Sequence, residues 1–86
     1  MMEIKLTIPE YSDQGLKYEW ESGFEIKAEI NDGVIIISAN KAGLISLAKH
    51  MLVLAQDTVP VGHHMHFDEY NSLEEGSVQL IIDKQK

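Results

Sequence analysis

Two strand-like runs meet across Asn31-Asp32-Gly33, and this junction constrains the chain more than any other feature. In the first run Phe24, Ile26, Ala28 and Ile30 alternate with Glu25, Lys27 and Glu29. A period of two places alternate side chains on opposite faces, so this is a half-exposed strand. Asn-Asp-Gly is a tight-turn signal because Gly33 can take positive φ without steric cost. The run Val34-Ile35-Ile36-Ile37-Ser38 follows and is apolar on both sides. A hairpin is therefore predicted, its second strand lying mid-sheet or covered on its outer face.

One strong helix comes next. Asn40 is a natural N-cap, its side-chain oxygen able to accept from a free backbone N–H. Leu44, Leu47, Ala48, Met51, Leu52 and Ala55 recur at helical spacing, with Ile45 and Leu54 on the flanks. The pattern predicts a helix from about Lys41 to Gln56 that lays this stripe on the sheet. Gly43 in the first turn lowers helix propensity by about 1 kcal/mol, which suggests close approach of another backbone. Pro60 and Gly62 mark the exit.

Three further runs alternate. Met2, Ile4, Leu6 and Ile8 oppose Glu3, Lys5 and Thr7, predicting a strand that Pro9 ends. His63–Asp68 sends Met65 and Phe67 one way and His64, His66 and Asp68 the other. Ser77–Asp83 puts Val78, Leu80 and Ile82 on one face, and Lys84-Gln85-Lys86 reads as a solvated tail. Residues 17–20 allow a short extra strand. The expected architecture is α+β: a small, mostly antiparallel sheet of about five strands in the order β-β-β-α-β-β, one helix on one face, and a single domain over residues 1–86.

A chain of 86 residues buries little more than ~60% of its unfolded surface. With no cysteine, neither a disulfide framework nor a Cys-based zinc site supports its core. The first residues lack the plan of a signal peptide and no run reaches the length of a membrane span, so the cytoplasm is the expected compartment. The formal charge of −7 disfavours phosphate backbones and argues against nucleic-acid binding. It favours a basic protein partner, although acidity also serves solubility alone.

The conspicuous polar constellation is Gly62-His63-His64-Met65-His66-Phe67-Asp68. On a strand, His64, His66 and Asp68 share a face, and two imidazoles with a carboxylate are good zinc ligands. A small metal-dependent hydrolase built on them needs further donors, and His50 or Glu74-Glu75 are the obvious ones. The plainer reading is a polar strand face that meets neighbours or a partner. No Gly-x-Ser-x-Gly elbow, phosphate loop or cysteine nucleophile is present, so no catalytic residue, metal ligand or cofactor is assigned. Tyr11, Tyr18 and Trp20 lie among Glu10, Asp13, Glu19 and Glu21, a composition suited to an interface, though Trp20 equally suits packing over a sheet edge.

From Ser38 onward the motifs accumulate: Asn40-Lys41-Ala42-Gly43-Leu44, Leu47-Ala48, Leu54-Ala55-Gln56-Asp57, Gly62-x-His64-x-His66-x-Asp68 and Leu73-Glu74-Glu75-Gly76-Ser77. In this order, over about residues 35–84, the chain resembles immunity protein family 32 of bacterial polymorphic toxin systems. The resemblance implies a cytoplasmic protein that binds and neutralises a cognate toxin. It carries no catalytic role. The residues expected to meet a partner are Tyr18, Glu25, Glu29, His64, His66, Asp68, Glu74 and Glu75. Of these, His64, His66 and Asp68 are expected on the sheet face opposite the helix, next to Glu25, Lys27 and Glu29 if the strands neighbour, among apolar patches from Ile35, Ile37 and Ile81 that a toxin or a second copy of the chain would cover. Glu74 and Glu75 are expected in an exposed loop.

Overall fold

A computed structural model describes residues 1–86 and shows an α+β chain with one helix and two small antiparallel sheets. The order is β1 (Ile26–Asn31), β2 (Val34–Ala39), α1 (Lys41–Ala55), β3 (His64–Phe67) and β4 (Leu80–Asp83). β1 pairs with β2, and β3 with β4. The single five-stranded sheet expected from the sequence is thus replaced by two hairpin-like pairs.

The first pair forms as its sequence predicts. Asn31 faces Val34 across a two-residue turn, and both Asp32 (φ 52°) and Gly33 (φ 76°) take the positive φ that matches the twist of the flanking strands. Ile26 and Ala28 are buried while Lys27 and Glu29 are half-exposed. β2, however, is an edge strand, with Val34, Ile35, Ile36 and Ile37 all exposed. Its apolar character does not come from a mid-sheet position. The other edge of β1 is occupied by the segment before β4: Glu74 N donates to Ile26 O at 2.8 Å and Val78 N to Ala28 O at 2.9 Å. This segment joins the two sheets without being a strand, which shortens the expected Ser77–Asp83 strand to its last four residues.

Residues 2–8 form no strand. An alternating pattern permits extended structure, but a strand exists only where a neighbouring edge accepts its backbone groups. No backbone–backbone hydrogen bond ties residues 1–8 to any edge. Met2 and Ile4 are exposed, and only Leu6 and Ile8 are partly covered. Beyond Pro9 the chain is held by Gln56, which donates from Nε2 to Pro9 O and accepts from Tyr11 N, each at 3.0 Å. The short strand considered at residues 17–20 is also absent.

The helix is capped as expected. Asn40 Oδ1 accepts from Gly43 N at 2.8 Å and from Glu25 N at 3.0 Å, while Nδ2 donates to Gly23 O at 2.9 Å. One side chain thereby caps α1 and anchors the turn leading into β1. At the other end Lys84 Nζ donates to the carbonyls of Gln56 at 2.6 Å and Val59 at 2.8 Å. A cation is favoured at the negative end of the helix dipole. Lys84 is therefore a clamp, and not part of a solvated tail.

The face that α1 buries differs from the expected stripe. Gly43, Ser46, Leu47, His50, Val53 and Leu54 point inward. Leu44 is 57% exposed and Met51 and Leu52 are each 48% exposed, with Ala48 and Ala55 also exposed. Of the expected stripe only Leu47 is buried. The cause is the volume that the helix meets. At Gly43 an added Cβ would lie 2.5 Å from the Glu25 carbonyl oxygen and 2.8 Å from Ile26, so only glycine lets the helix sit there. Ser46 Oγ accepts from Glu21 N at 2.8 Å. His50 lies among the rings of Tyr18, Trp20 and Phe67. The rings meet the helix at His50, while Gly43 and Ser46 receive the backbone of Glu25 and Glu21. Ile26, Ala28, Leu47, Val53, Leu54, Val59, Met65, Phe67 and Leu73 form the buried apolar cluster, with Trp20, Phe24, Leu80 and Ile82 packed at its margin.

Candidate partner-binding site

β3 alternates as predicted: Met65 and Phe67 are buried, and His64 and His66 are exposed. Burial of a side chain such as Phe67 stabilises the fold by about 1.5–3 kcal/mol, enough to hold the register and so to fix the outward direction of both imidazoles. Across the pair His64 faces Asp83 and His66 faces Ile81, so the outer face of this sheet carries two imidazoles, a carboxylate and one exposed isoleucine.

Asp68 follows directly and has a structural duty. Its Oδ1 accepts from Tyr70 N at 2.9 Å and Asn71 N at 3.0 Å. Asn71 returns a bond, its Oδ1 accepting from Asp68 N at 3.0 Å and its Nδ2 donating to His66 O at 3.0 Å. The Asp68 carboxylate thus folds the loop after β3, leaving Oδ2 at 3.6 Å from His66 Nε2. No group of three or more His, Cys, Asp or Glu is arranged to hold a metal ion.

His66 instead borders a pocket of about 260 Å³ lined also by Tyr18, Trp20, Phe67, Asn71 and Ser72. The floor and walls are aromatic. Tyr18 stands edge-on to Phe67 at 6.0 Å between ring centroids, and Trp20 does so at 5.9 Å. Trp20 is also stacked on Phe24 at 4.3 Å. Trp20 therefore packs at the core margin while one part of it faces the pocket. Burial pushes the Tyr18 hydroxyl above its ordinary pKa, which keeps it a neutral donor. Lys49 lies 3.8 Å from Glu19 and 3.9 Å from Glu21, holding these acids beside the aromatic segment.

A second groove of about 310 Å³ lies on the other sheet, lined by Glu25, Lys27 and Glu74 together with Ile26, Ser38, Ala39 and Asn40. The structure thus brings Tyr18 together with His66, and Glu25 with Glu74. It does not set the β3 imidazoles beside the acids of β1. β3 and β1 belong to different sheets, so His64 and His66 are not strand neighbours of Glu25 and Glu29. Glu29 is paired with Lys27 at 3.0 Å, Glu75 is exposed in the loop, and His64 borders neither cavity. Ile35 and Ile37 face the same side of their hairpin as Ile30 and Ala28, so the isoleucine beside Glu29 is Ile36.

His50, named from the sequence as a further metal donor, has a different place in the fold. It is fully buried, and neither ring nitrogen has a hydrogen-bond partner. Its ring meets Trp20 edge-on at 4.3 Å and stacks near Phe67 at 5.8 Å, directly behind the pocket wall. Burial, reinforced by the neighbouring Lys49 charge, pulls its pKa from 6.5 down to about 4. The available signal was positional: His50 lies one turn from Ser46 and two from Gly43, on the side of the helix away from Leu44, Ala48 and Leu52.

Comparison with known proteins gives one finding. A family model described as Immunity protein 32 matches residues 34–85, more than half of the chain. The match spans β2, α1, β3 and β4. No curated protein and no solved structure matches.

Proposed function

Since the chain belongs to the Immunity protein 32 family, we propose that it neutralises a cognate bacterial toxin in the cytoplasm by direct, stoichiometric binding, with no catalytic step and no cofactor. The observation that supports this reading, beside the family, is an aromatic pocket on an acidic protein. Tyr18, Trp20 and Phe67 supply ring surface, His66, Asn71 and Ser72 supply polar atoms, and the whole carries a formal charge of −7. Buried aromatic anchors surrounded by a polar rim are what dominate the energy of protein interfaces. An arginine or lysine of a basic toxin would lie against these rings, an arrangement that contributes about 0.5–2 kcal/mol as solvent is excluded.

The acids set the approach and not the grip. Glu25 and Glu74 in the second groove, with Glu29 and Glu75 nearby in sequence, raise the encounter rate with a basic surface, and salt weakens that effect. His64 and Asp68 extend the polar rim around His66. Inhibition follows from covering the toxin's own site.

The test is binding to the toxin domain encoded next to this chain, measured by calorimetry, together with survival of cells that express the toxin. Tyr18→Ala and His66→Ala are expected to weaken binding at least tenfold, while Glu75→Gln mainly slows association. Absence of any complex, with no protection of cells, would overturn the proposal.

A further inference from the structure

The helix is apolar on two sides, and the fold covers only one of them. Leu44, Ala48, Met51 and Ala55 are exposed at spacings of four, three and four residues, with Leu52 alongside. This is the spacing of a helix–helix seam. A helix that is apolar nearly all round is normally buried on both sides. Beside the seam, Met51, Leu54 and Ala55 form a groove of about 180 Å³ with Ile82 and Lys84.

We infer that a second copy of this chain covers the seam, the two α1 helices packing antiparallel about a two-fold axis that passes between Lys49 and His50. The register follows from size. Reversing the helix about that point sets Leu44 against Ala55 of the other copy and Ala48 against Met51. Each large residue then meets a small one, twice over, as an isologous interface requires. Leu44 also enters the groove between Met51 and Ile82. Charge agrees with the register: exposed Lys41 at the start of one helix comes beside exposed Asp57 just past the end of the other. The antiparallel helix dipoles also oppose.

The same face is poorly suited to a basic partner. The segment Lys41–Ala55 contains no Asp or Glu. The exposed stripe from Leu44 to Ala55 gives a basic toxin no acid to pair with, whereas it lets two chains of charge −7 approach through a face whose one nearby acid, Asp57, meets Lys41. The inference therefore stands independently of the toxin reading. A single helix pair is small beside the ~1,200 Å² of a stable complex, so weak association is expected and is sought up to high micromolar concentration.

Sedimentation velocity of the 86-residue chain from 5 to 500 µM tests it. The expected result is a monomer–dimer equilibrium within that range. Leu44→Glu raises Kd at least tenfold while circular dichroism shows an intact fold, since the side chain is exposed. Lys41→Glu weakens association several-fold, and adding Asp57→Lys restores it, as an antiparallel pairing of the two helices predicts. A chain that stays monomeric at 500 µM overturns the inference. So does a dimer that survives Leu44→Glu but is lost with Ile36→Lys, because pairing would then run through the open edge of β2.

Discussion

Replacing His50 by leucine should separate the stability of this protein from mild acid. In the fold the imidazole is fully buried, unpaired at both nitrogens, and holds a pKa of about 4; in the unfolded chain the ordinary value is 6.5. Between these values the unfolded state binds a proton that the folded state refuses, so stability falls as the pH falls. The full coupling is about 3 kcal/mol, at 1.36 kcal/mol per pH unit. By pH 5 about 2 kcal/mol of it has been lost, against a few tenths at pH 7. For a domain whose total stability is of order 5–10 kcal/mol, that is a large fraction. Leucine fills a similar space against Trp20 and Phe67, cannot titrate, and removes two polar atoms whose unpaired burial costs about 1–3 kcal/mol each. Urea unfolding at pH 7, 6 and 5, followed by fluorescence of the sole tryptophan, Trp20, is the assay. The difference between the two proteins isolates His50 from every other titrating group. The natural chain should lose about 2 kcal/mol more than His50→Leu between pH 7 and 5, a shift of about 2 M in midpoint at a slope near 1 kcal/mol/M. At pH 7 the variant should be as stable or more so. Parallel profiles would refute the reasoning, and so would a loss beyond about 2 kcal/mol at pH 7, since the nitrogens would then have partners.

Two further substitutions test the contacts that position the helix. Gly43→Ala raises helix propensity by about 1 kcal/mol, yet its Cβ would lie 2.5 Å from the Glu25 carbonyl oxygen; overpacking of about 1–3 kcal/mol should win, giving a lower thermal midpoint. Lys84→Met keeps the aliphatic stem but frees the carbonyls of Gln56 and Val59; a loss of about 1–3 kcal/mol is expected, with faster amide exchange at the end of α1.

The site was legible in the sequence where a side chain's direction follows from its own strand. His64 and His66 face outward because Met65 and Phe67 are large, apolar and one residue away. The placement of Tyr18 beside His66 was not legible. The two are far apart in the chain, and Tyr18 lies in a segment with no periodic signal. Asp68 shows the opposite limit. Its spacing placed it on the imidazole face, but the next residues recruit it into a turn. Asx side chains bond to backbone two and three residues on whenever the chain bends there.

By itself the sequence determined the local geometry: a two-residue turn at Asp32-Gly33, a helix begun by Asn40, an alternating β3, and an α+β composition. These follow from φ preferences, capping chemistry and period, all of which act within a few residues. Tertiary structure decided which apolar pattern found a partner. The alternation of residues 2–8 docked on no edge and made no strand. Most of the apolar stripe of α1, with Leu44, Met51 and Leu52, turned outward, because the backbone of Glu21 and Glu25 packs at Ser46 and Gly43 and the rings of Trp20 and Phe67 pack on His50. Periodicity reports how hydrophobic each face is; the volume and hydrogen-bonding edges that arrive from elsewhere in the chain decide which face is buried.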